Sequence, residues 1–296
     1  MSWSSYHSHC YYCDGKGSPS QYIKEAIDKG VKVLGFSSHA PVPFKTDWTM
    51  PVEKLPEYLQ RIDELKLKHY GDLLILKSLE VDYIPGVTGV NHPLIKNSKL
   101  DYTIGSVHYV DKFKNGDHWS IDDSFDDFLK GVTYIFDGNV KRAVERYFEL
   151  QQEMLNNQPP DILGHMDKIR FHNLVGFLFD EKQQWYKNMV YDTLILAKEK
   201  GVIVEINTKY YERADLFFPS KNHFKWMHQN GIPVTINSDV HNPEKVIAGF
   251  REAASLLLES DYKEVWEWSG SGFEPVSLTK KGVLFSDKTF IDHECL

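Results

Sequence analysis

Cysteine is scarce in this chain: three in 296 residues, an odd number that cannot form a disulfide framework. Cys10 and Cys13 make a single C-x-x-C. With no second pair there is no four-cysteine zinc site, and the motif does not open a helix as redox pairs do, so both thiols are expected to be packed. Cys295 carries no signal. No run approaches the roughly 18 apolar residues of a membrane span. The start, Met1-Ser2-Trp3-Ser4-Ser5, has neither the basic residues nor the apolar stretch of a signal peptide, and a cytoplasmic protein is expected. Basic residues are also in the minority, 34 against 42 acidic, for a net charge of −8. Their densest runs, Lys66-Leu67-Lys68 and Thr279-Lys280-Lys281, make no stripe that would grip a nucleic-acid backbone.

What is present is the balance of a globular protein with a sizeable core, 42% hydrophobic and 26% charged. No linker interrupts it, so residues 1–296 are expected to form one domain. One unit recurs: a short apolar strand, a ligand-type residue at its C-terminal end, then a helix. Strands are predicted at 3–9, 31–37, 73–82, 100–107, 161–164, 202–206 and 232–236. Ser18-Pro19-Ser20-Gln21 is a helix start with capping-box spacing, and further helices are predicted at 52–70, 180–200, 220–229 and 243–258. A helical insertion occupies about 110–160, with helices at 124–136 and 139–156. Its acids, Asp122-Asp123 and Asp126-Asp127, lack calcium-loop spacing and read as helix N-terminal and solvated charges. A hairpin is expected within 273–290. Alternating strands and helices imply parallel pairing with right-handed crossovers, and about seven units predict an α/β fold: a distorted seven-stranded (β/α)7 barrel. Chemistry in such barrels gathers at the C-terminal ends of the strands.

His7 and His9 share one face of the first strand, one pleat apart, with Asp14 just beyond. Asp239 and His241 repeat that spacing after the last strand, and His39, Glu80, His108 and His165 end or follow others. Any one of these alone is most simply a hydrogen-bonded core residue. Together they place six of the thirteen histidines and three carboxylates at strand ends. Nine nitrogen and oxygen donors exceed what one four- to six-coordinate ion can use, so two or three divalent transition-metal ions (Zn, Mn or Fe) are expected. Arg170, Lys209 and Arg213 follow strand ends and are candidates to bind phosphate. Trp48 and Trp119 are candidates for pocket lining.

The set His7-x-His9, Ser38-His39-Ala40-Pro41, Leu79-Glu80-Val81-Asp82-Tyr83, Gly105-Ser106-Val107-His108, Gly164-His165 and Ser238-Asp239-Val240-His241 resembles the PHP (polymerase and histidinol phosphatase) family. Within the family it looks most like the stand-alone histidinol-phosphate phosphatases, through Phe36-Ser37-Ser38-His39-Ala40-Pro41 and Glu80-Val81-Asp82-Tyr83-Ile84-Pro85-Gly86. The resemblance implies a first metal on His7, His9, Glu80 and Asp239. It implies a second on Glu80, His108 and His165, and a third on Asp14, His39 and His241. Position 14 departs from the many members that carry His there. The implied activity is hydrolysis of L-histidinol phosphate to L-histidinol and inorganic phosphate in histidine biosynthesis. A metal pair would supply hydroxide to attack phosphorus, and Asp239, His241 or a metal-bound water would give the leaving oxygen its proton. The partner is then a small phosphate monoester, with neither nucleic acid nor membrane. Another PHP phosphoesterase (a phosphotyrosine phosphatase or exonuclease) and a non-catalytic metal-stabilised barrel are the alternatives.

Overall fold

A computed structural model describes residues 1–285. In chain order it runs β1 (Trp3–Ser5), α1 (Pro19–Asp28), β2 (Val31–Phe36), α2 (Leu55–Lys68), β3 (Leu74–Lys77), β4 (Glu80–Asp82), α3 (Pro93–Lys96) and β5 (Ile104–Ser106). The antiparallel pair β6 (Tyr109–Lys112) and β7 (His118–Ser120) follows, then α4 (Phe125–Ile135), α5 (Val140–Asn157), β8 (Ile162–Leu163) and α6 (Gln184–Glu199). The remainder is β9 (Ile203–Tyr210), α7 (Tyr211–Ala214), β10 (Leu216–Phe218), α8 (Phe224–Gln229), β11 (Val234–Asn237), α9 (Phe250–Glu259), β12 (Glu264–Trp268), β13 (Phe273–Thr279) and β14 (Gly282–Val283).

The predicted alternation is present, and the capping box of Ser18 and Gln21 starts α1. The C-terminal helix is shorter than predicted. A 3-10 turn at Pro243–Lys245 precedes it, and α9 begins only after Gly249, whose φ of +75° breaks the helix. Antiparallel β12, β13 and β14 contain the expected hairpin, whose predicted end at 290 lies outside the described residues, as does Cys295.

The expected continuous seven-stranded barrel is not what the hydrogen bonds form among the described residues. Two separate sheets hold the parallel strands: β1-β2-β3, and a second in which β4, β5, β8 and β9 follow in order, with β11 parallel and β10 antiparallel on β9. The predicted strand 73–82 divides into β3 and β4, one in each sheet. Side chains supplement the main-chain bonds at that break, where Ser78 N still donates to Phe36 O at 2.8 Å. Asp101 accepts from Lys77 N at 2.6 Å, and the Tyr58 hydroxyl reaches the carbonyls of Phe36 (2.9 Å) and Ser78 (2.8 Å). The sheets meet at two seams. His9 N donates to Val240 O (2.8 Å) and Val240 N to His7 O (3.1 Å), while Ala40 N donates to Glu80 O (2.8 Å).

Both seams are made by the segments that carry the ligand-type residues, so the strand ends converge where the sheets join. Strands covered on both sides read as apolar runs, here Val33-Leu34, Ile75-Leu76 and Val202-Ile203-Val204. Helices α5 and α6 pack together outside β8 and β9. Under the N-terminal ends of the strands, Tyr6, Tyr102, Trp268 and Phe273 form an aromatic plug.

Candidate metal centre

Glu80 occupies the middle of the converged strand ends. Its Oε2 lies 3.2 Å from His7 Nε2, 3.4 Å from His9 Nε2 and 2.9 Å from His39 Nδ1. Its Oε1 lies 2.8 Å from His165 Nε2 and 3.6 Å from His108 Nε2, and accepts from Ser106 Oγ at 2.7 Å. Asp239 Oδ1 faces His9 Nε2 at 3.3 Å, His7 Nε2 at 3.8 Å and His241 Nδ1 at 3.5 Å. Asp14, at the rim, lies 3.3 Å from His241 Nε2 and 3.8 Å from His39 Nε2. All nine strand-end residues named from the sequence are therefore brought together.

Three overlapping groups present ligand atoms within 4.8 Å of one another: His9, Asp14, His39 and His241; His7, His9 and Asp239; His39, Glu80 and His108. His9 and His39 each stand in two of these groups, which joins sets that the family resemblance keeps apart.

The centre fits cations better than it fits itself. His7 Nε2, His9 Nε2, His39 Nδ1, His108 Nε2 and Glu80 Oε2 are buried and make no hydrogen bond. They face one another without hydrogen-bond direction, an arrangement that would be costly unless something positive lies between them. Imidazole with carboxylate is a donor set for zinc, manganese or iron, not the all-oxygen cage of calcium. Electrostatics agree. Burial opposes ionisation of Glu80, yet His7, His39, His108 and His165 hold it well below the usual carboxylate range. Burial likewise opposes protonation of His108, but Asp82, Asp122 and Glu80 raise it to about 9. His7 rises too, despite burial, beside Glu205, Asp239 and Glu80. Without cations the carboxylates recruit protons onto these imidazoles, and divalent ions would displace them.

Around the centre stand residues the sequence reading passed over. Glu205 Oε1 lies 2.6 Å from His7 Nδ1, and Asp82 Oδ1 lies 2.9 Å from His108 Nδ1. In each pair a carboxylate holds the ring nitrogen turned away from the centre. Both left a trace in the sequence: each is an acid in an apolar strand, and Asp82 shares a face with Glu80. Asp122, read as a solvated helix charge, instead pairs with buried Lys168 at 2.6 Å and lies 3.7 Å from His108 Nε2. Cys10 is buried against Ser38 Oγ at 3.3 Å, and Cys13 lies 3.6 Å from His9 Nδ1, so both thiols are packed. His165 and Asp239 have positive φ, +21° and +46°, so two strand ends hold strained backbone.

The basic and aromatic candidates separate. Lys209 Nζ reaches the centre, 3.1 Å from Asp239 Oδ1 and 3.5 Å from His241 Nε2. Arg170 turns away, bound to Glu181 (2.8 Å) and the Phe217 carbonyl (3.2 Å). Arg213 is exposed on α7. Trp48 is half-buried, with its ring 4.6 Å from His39 and 5.2 Å from His108. Trp119 lines nothing: it is 1% exposed and packed between Phe128 and Phe136, as its place on an inward face of β7 demands.

Fold and site together define an α/β protein with a divalent-cation centre at the C-terminal ends of parallel strands. Residues 5–209 match the PHP domain, and the chain belongs to that family. It is 26% identical over 255 residues to the "Probable histidinol-phosphatase" of Deinococcus radiodurans, covering 84% of this chain and 90% of that one. It is 27% identical over 275 residues to the protein of the same name from Schizosaccharomyces pombe, covering 86% and 85%. The crystal structure of Lactococcus lactis histidinol phosphate phosphatase, complexed with zinc, L-histidinol and phosphate, superposes with a TM-score of 0.65 at 16% identity. That match covers 96% of this chain and 99% of the other. Among the described residues no helix is long and apolar enough to cross a membrane.

Proposed function

We propose that this chain hydrolyses L-histidinol phosphate to L-histidinol and inorganic phosphate. The observation that carries the proposal is the set of buried imidazole and carboxylate atoms without hydrogen bonds, converging on Glu80. Similarity to proteins named histidinol-phosphatase over most of their length supports the substrate. His7, His9, Asp14, His39, Glu80, His108, His165, Asp239 and His241 are the ligands, with the two sheets completing a distorted barrel around them. Six carboxylates (Asp14, Glu80, Asp82, Asp122, Glu205 and Asp239) against Lys168 and Lys209 leave four negative charges, which two divalent ions neutralise.

When bound, such ions supply Lewis-acid neutralisation of phosphoryl oxygens and lower the pKa of coordinated water to about 7. The chain's own residues do the rest. Lys209 places a fixed positive charge beside Asp239 and His241, where it takes up a phosphoryl oxygen. His241 carries its Nδ1 proton toward the Asp239 carbonyl oxygen at 3.0 Å, which leaves Nε2 at the rim. Asp239 and His241 are the side chains proposed to give the leaving oxygen its proton, which His241 Nε2 can do only when it does not itself hold a cation.

The test compares initial rates on L-histidinol phosphate, phosphotyrosine, a nucleoside monophosphate and single-stranded DNA, before and after exhaustive chelation and with Mn²⁺, Zn²⁺ or Fe²⁺ restored. Histidinol phosphate is expected to be preferred, and chelation to abolish phosphate release. Preference for another substrate overturns the assignment, and chelator-insensitive hydrolysis overturns the metal centre.

A further inference from the structure

Glu205 is fully buried on β9, yet it touches no hydrogen-bond donor of its own two sequence neighbours. Its three partners come from three places. Oε1 faces His7 Nδ1 at 2.6 Å. Oε2 accepts from the main-chain N–H of His165 at 2.8 Å and from Asn207 Nδ2 at 3.0 Å. Asn207 Nδ2 also reaches Asp239 Oδ2 at 3.2 Å. One carboxylate thereby joins the segment after β1, the segment after β8 and, through Asn207, the segment after β11. Two of the joined residues, His165 and Asp239, are those held at positive φ. Asp82, by contrast, serves one residue among those described, His108, through its ring nitrogen at 2.9 Å and its main-chain N–H at 3.0 Å.

We infer that Glu205 is a positioning residue that sets the His7 tautomer and spaces three ligand-bearing segments, so that cation affinity at the centre depends on it. The inference rests on the cation-centre reading but not on the substrate. A neutral imidazole has one donor and one acceptor nitrogen. With Nδ1–H given to Glu205, the lone pair of His7 must lie on Nε2, which faces Glu80. Holding the second carboxylate oxygen on His165 N–H and Asn207 fixes the distance between that lone pair, His165 and Asp239. An amide cannot do the same. Glutamine at 205 has one oxygen and one NH2 for three donors. Its NH2 must face either His7, forcing the proton onto Nε2, or the two donors on the other side.

The experiment uses the full-length chain stripped of metal and titrated with Co²⁺ and Zn²⁺ against a competing chelator. Glu205→Gln is compared with Asp82→Asn, and urea unfolding of each metal-free protein is measured in parallel. E205Q is expected to bind Co²⁺ about 10- to 100-fold more weakly and to change the Co²⁺ absorption bands. The metal-free variant loses a partner of buried His7, so its urea midpoint should fall somewhat while the chain stays folded, and the loss of Co²⁺ affinity should exceed what that fall explains. Asp82→Asn should lose less, since it orients one ligand. Wild-type cation affinity and spectrum in E205Q overturn the inference, as does a loss that only tracks unfolding. If E205Q does not fold, Glu205→Asp keeps the charge but falls one methylene short of its partners, and undiminished Co²⁺ affinity there is equally fatal. Should neither variant fold, Glu205 is a structural residue and the inference falls. A wild-type protein that binds cations but ignores histidinol phosphate would sink the substrate alone.

Discussion

Glu267 offers a quantitative test of the floor beneath the centre. It lies on β12, 3% exposed, and accepts from the Tyr6 hydroxyl at 2.6 Å. That hydroxyl in turn accepts from Trp268 N at 2.8 Å. Tyr6 immediately precedes His7, and its own N–H donates to Asn237 Oδ1 at 2.8 Å, so this acid helps seat the first ligand. Burial raises Glu267 from an ordinary 4.5 to about 7. The unfolded chain therefore loses this proton before the folded one does. Stability from this group is fully present below about 4.5 and is lost as pH rises toward 7. A difference of that size corresponds to about 3 kcal/mol. Glu267→Gln keeps an oxygen for the Tyr6 hydroxyl and removes the titration. Urea unfolding of the metal-free proteins should then show the variant gaining on the wild type by about 2–3 kcal/mol between pH 5 and pH 8. Parallel pH profiles for the two proteins would refute the reasoning.

Two further contrasts separate site from scaffold. Lys209→Met should raise KM for the phosphate monoester about 10- to 100-fold, the worth of one charge-assisted hydrogen bond. Arg170→Met should instead cost about 1–3 kcal/mol of stability and leave KM alone, because its partners are Glu181 and the Phe217 carbonyl; an unchanged KM for Lys209→Met would remove that lysine from the phosphate site. Trp119→Ala should cost about 3–5 kcal/mol through the cavity left among Phe128 and Phe136. Trp48→Ala should change KM with little loss of stability, and the opposite pattern in thermal melts and steady-state kinetics would reverse the two assignments.

What could be read along the chain was whatever depends on near neighbours. The capping box at Ser18 and the alternation of strand and helix are local, and they are found where local rules place them; the strand predicted over 3–9 ends at Ser5, yet His7 and His9 beyond it still lie side by side, with ring centroids 4.9 Å apart. The same rule of alternation would have drawn attention to Glu205 and Asp82, each an acid on the inward face of an apolar strand. What decided whether such an acid is a ligand or holds one was its distance from the centre, and no spacing in sequence encodes that. Arg170 and Lys209 follow strand ends in the same way, yet Arg170 meets Glu181 and Lys209 meets Asp239. Asp122 lies in an acidic, polar stretch, and only the fold sets it against buried Lys168.

The sequence by itself determined that strands would deliver six imidazoles and three carboxylates to one end of a parallel α/β fold, because periodicity and element order are properties of the chain. Only the tertiary structure decided that the strand 73–82 would break between two sheets and that the seams would fall on the ligand-bearing segments. Only it decided that one carboxylate at 205 would join residues 7, 165 and 239. Those outcomes depend on which partners the closed fold brings within hydrogen-bond reach of one another, and closure is a property of the whole fold.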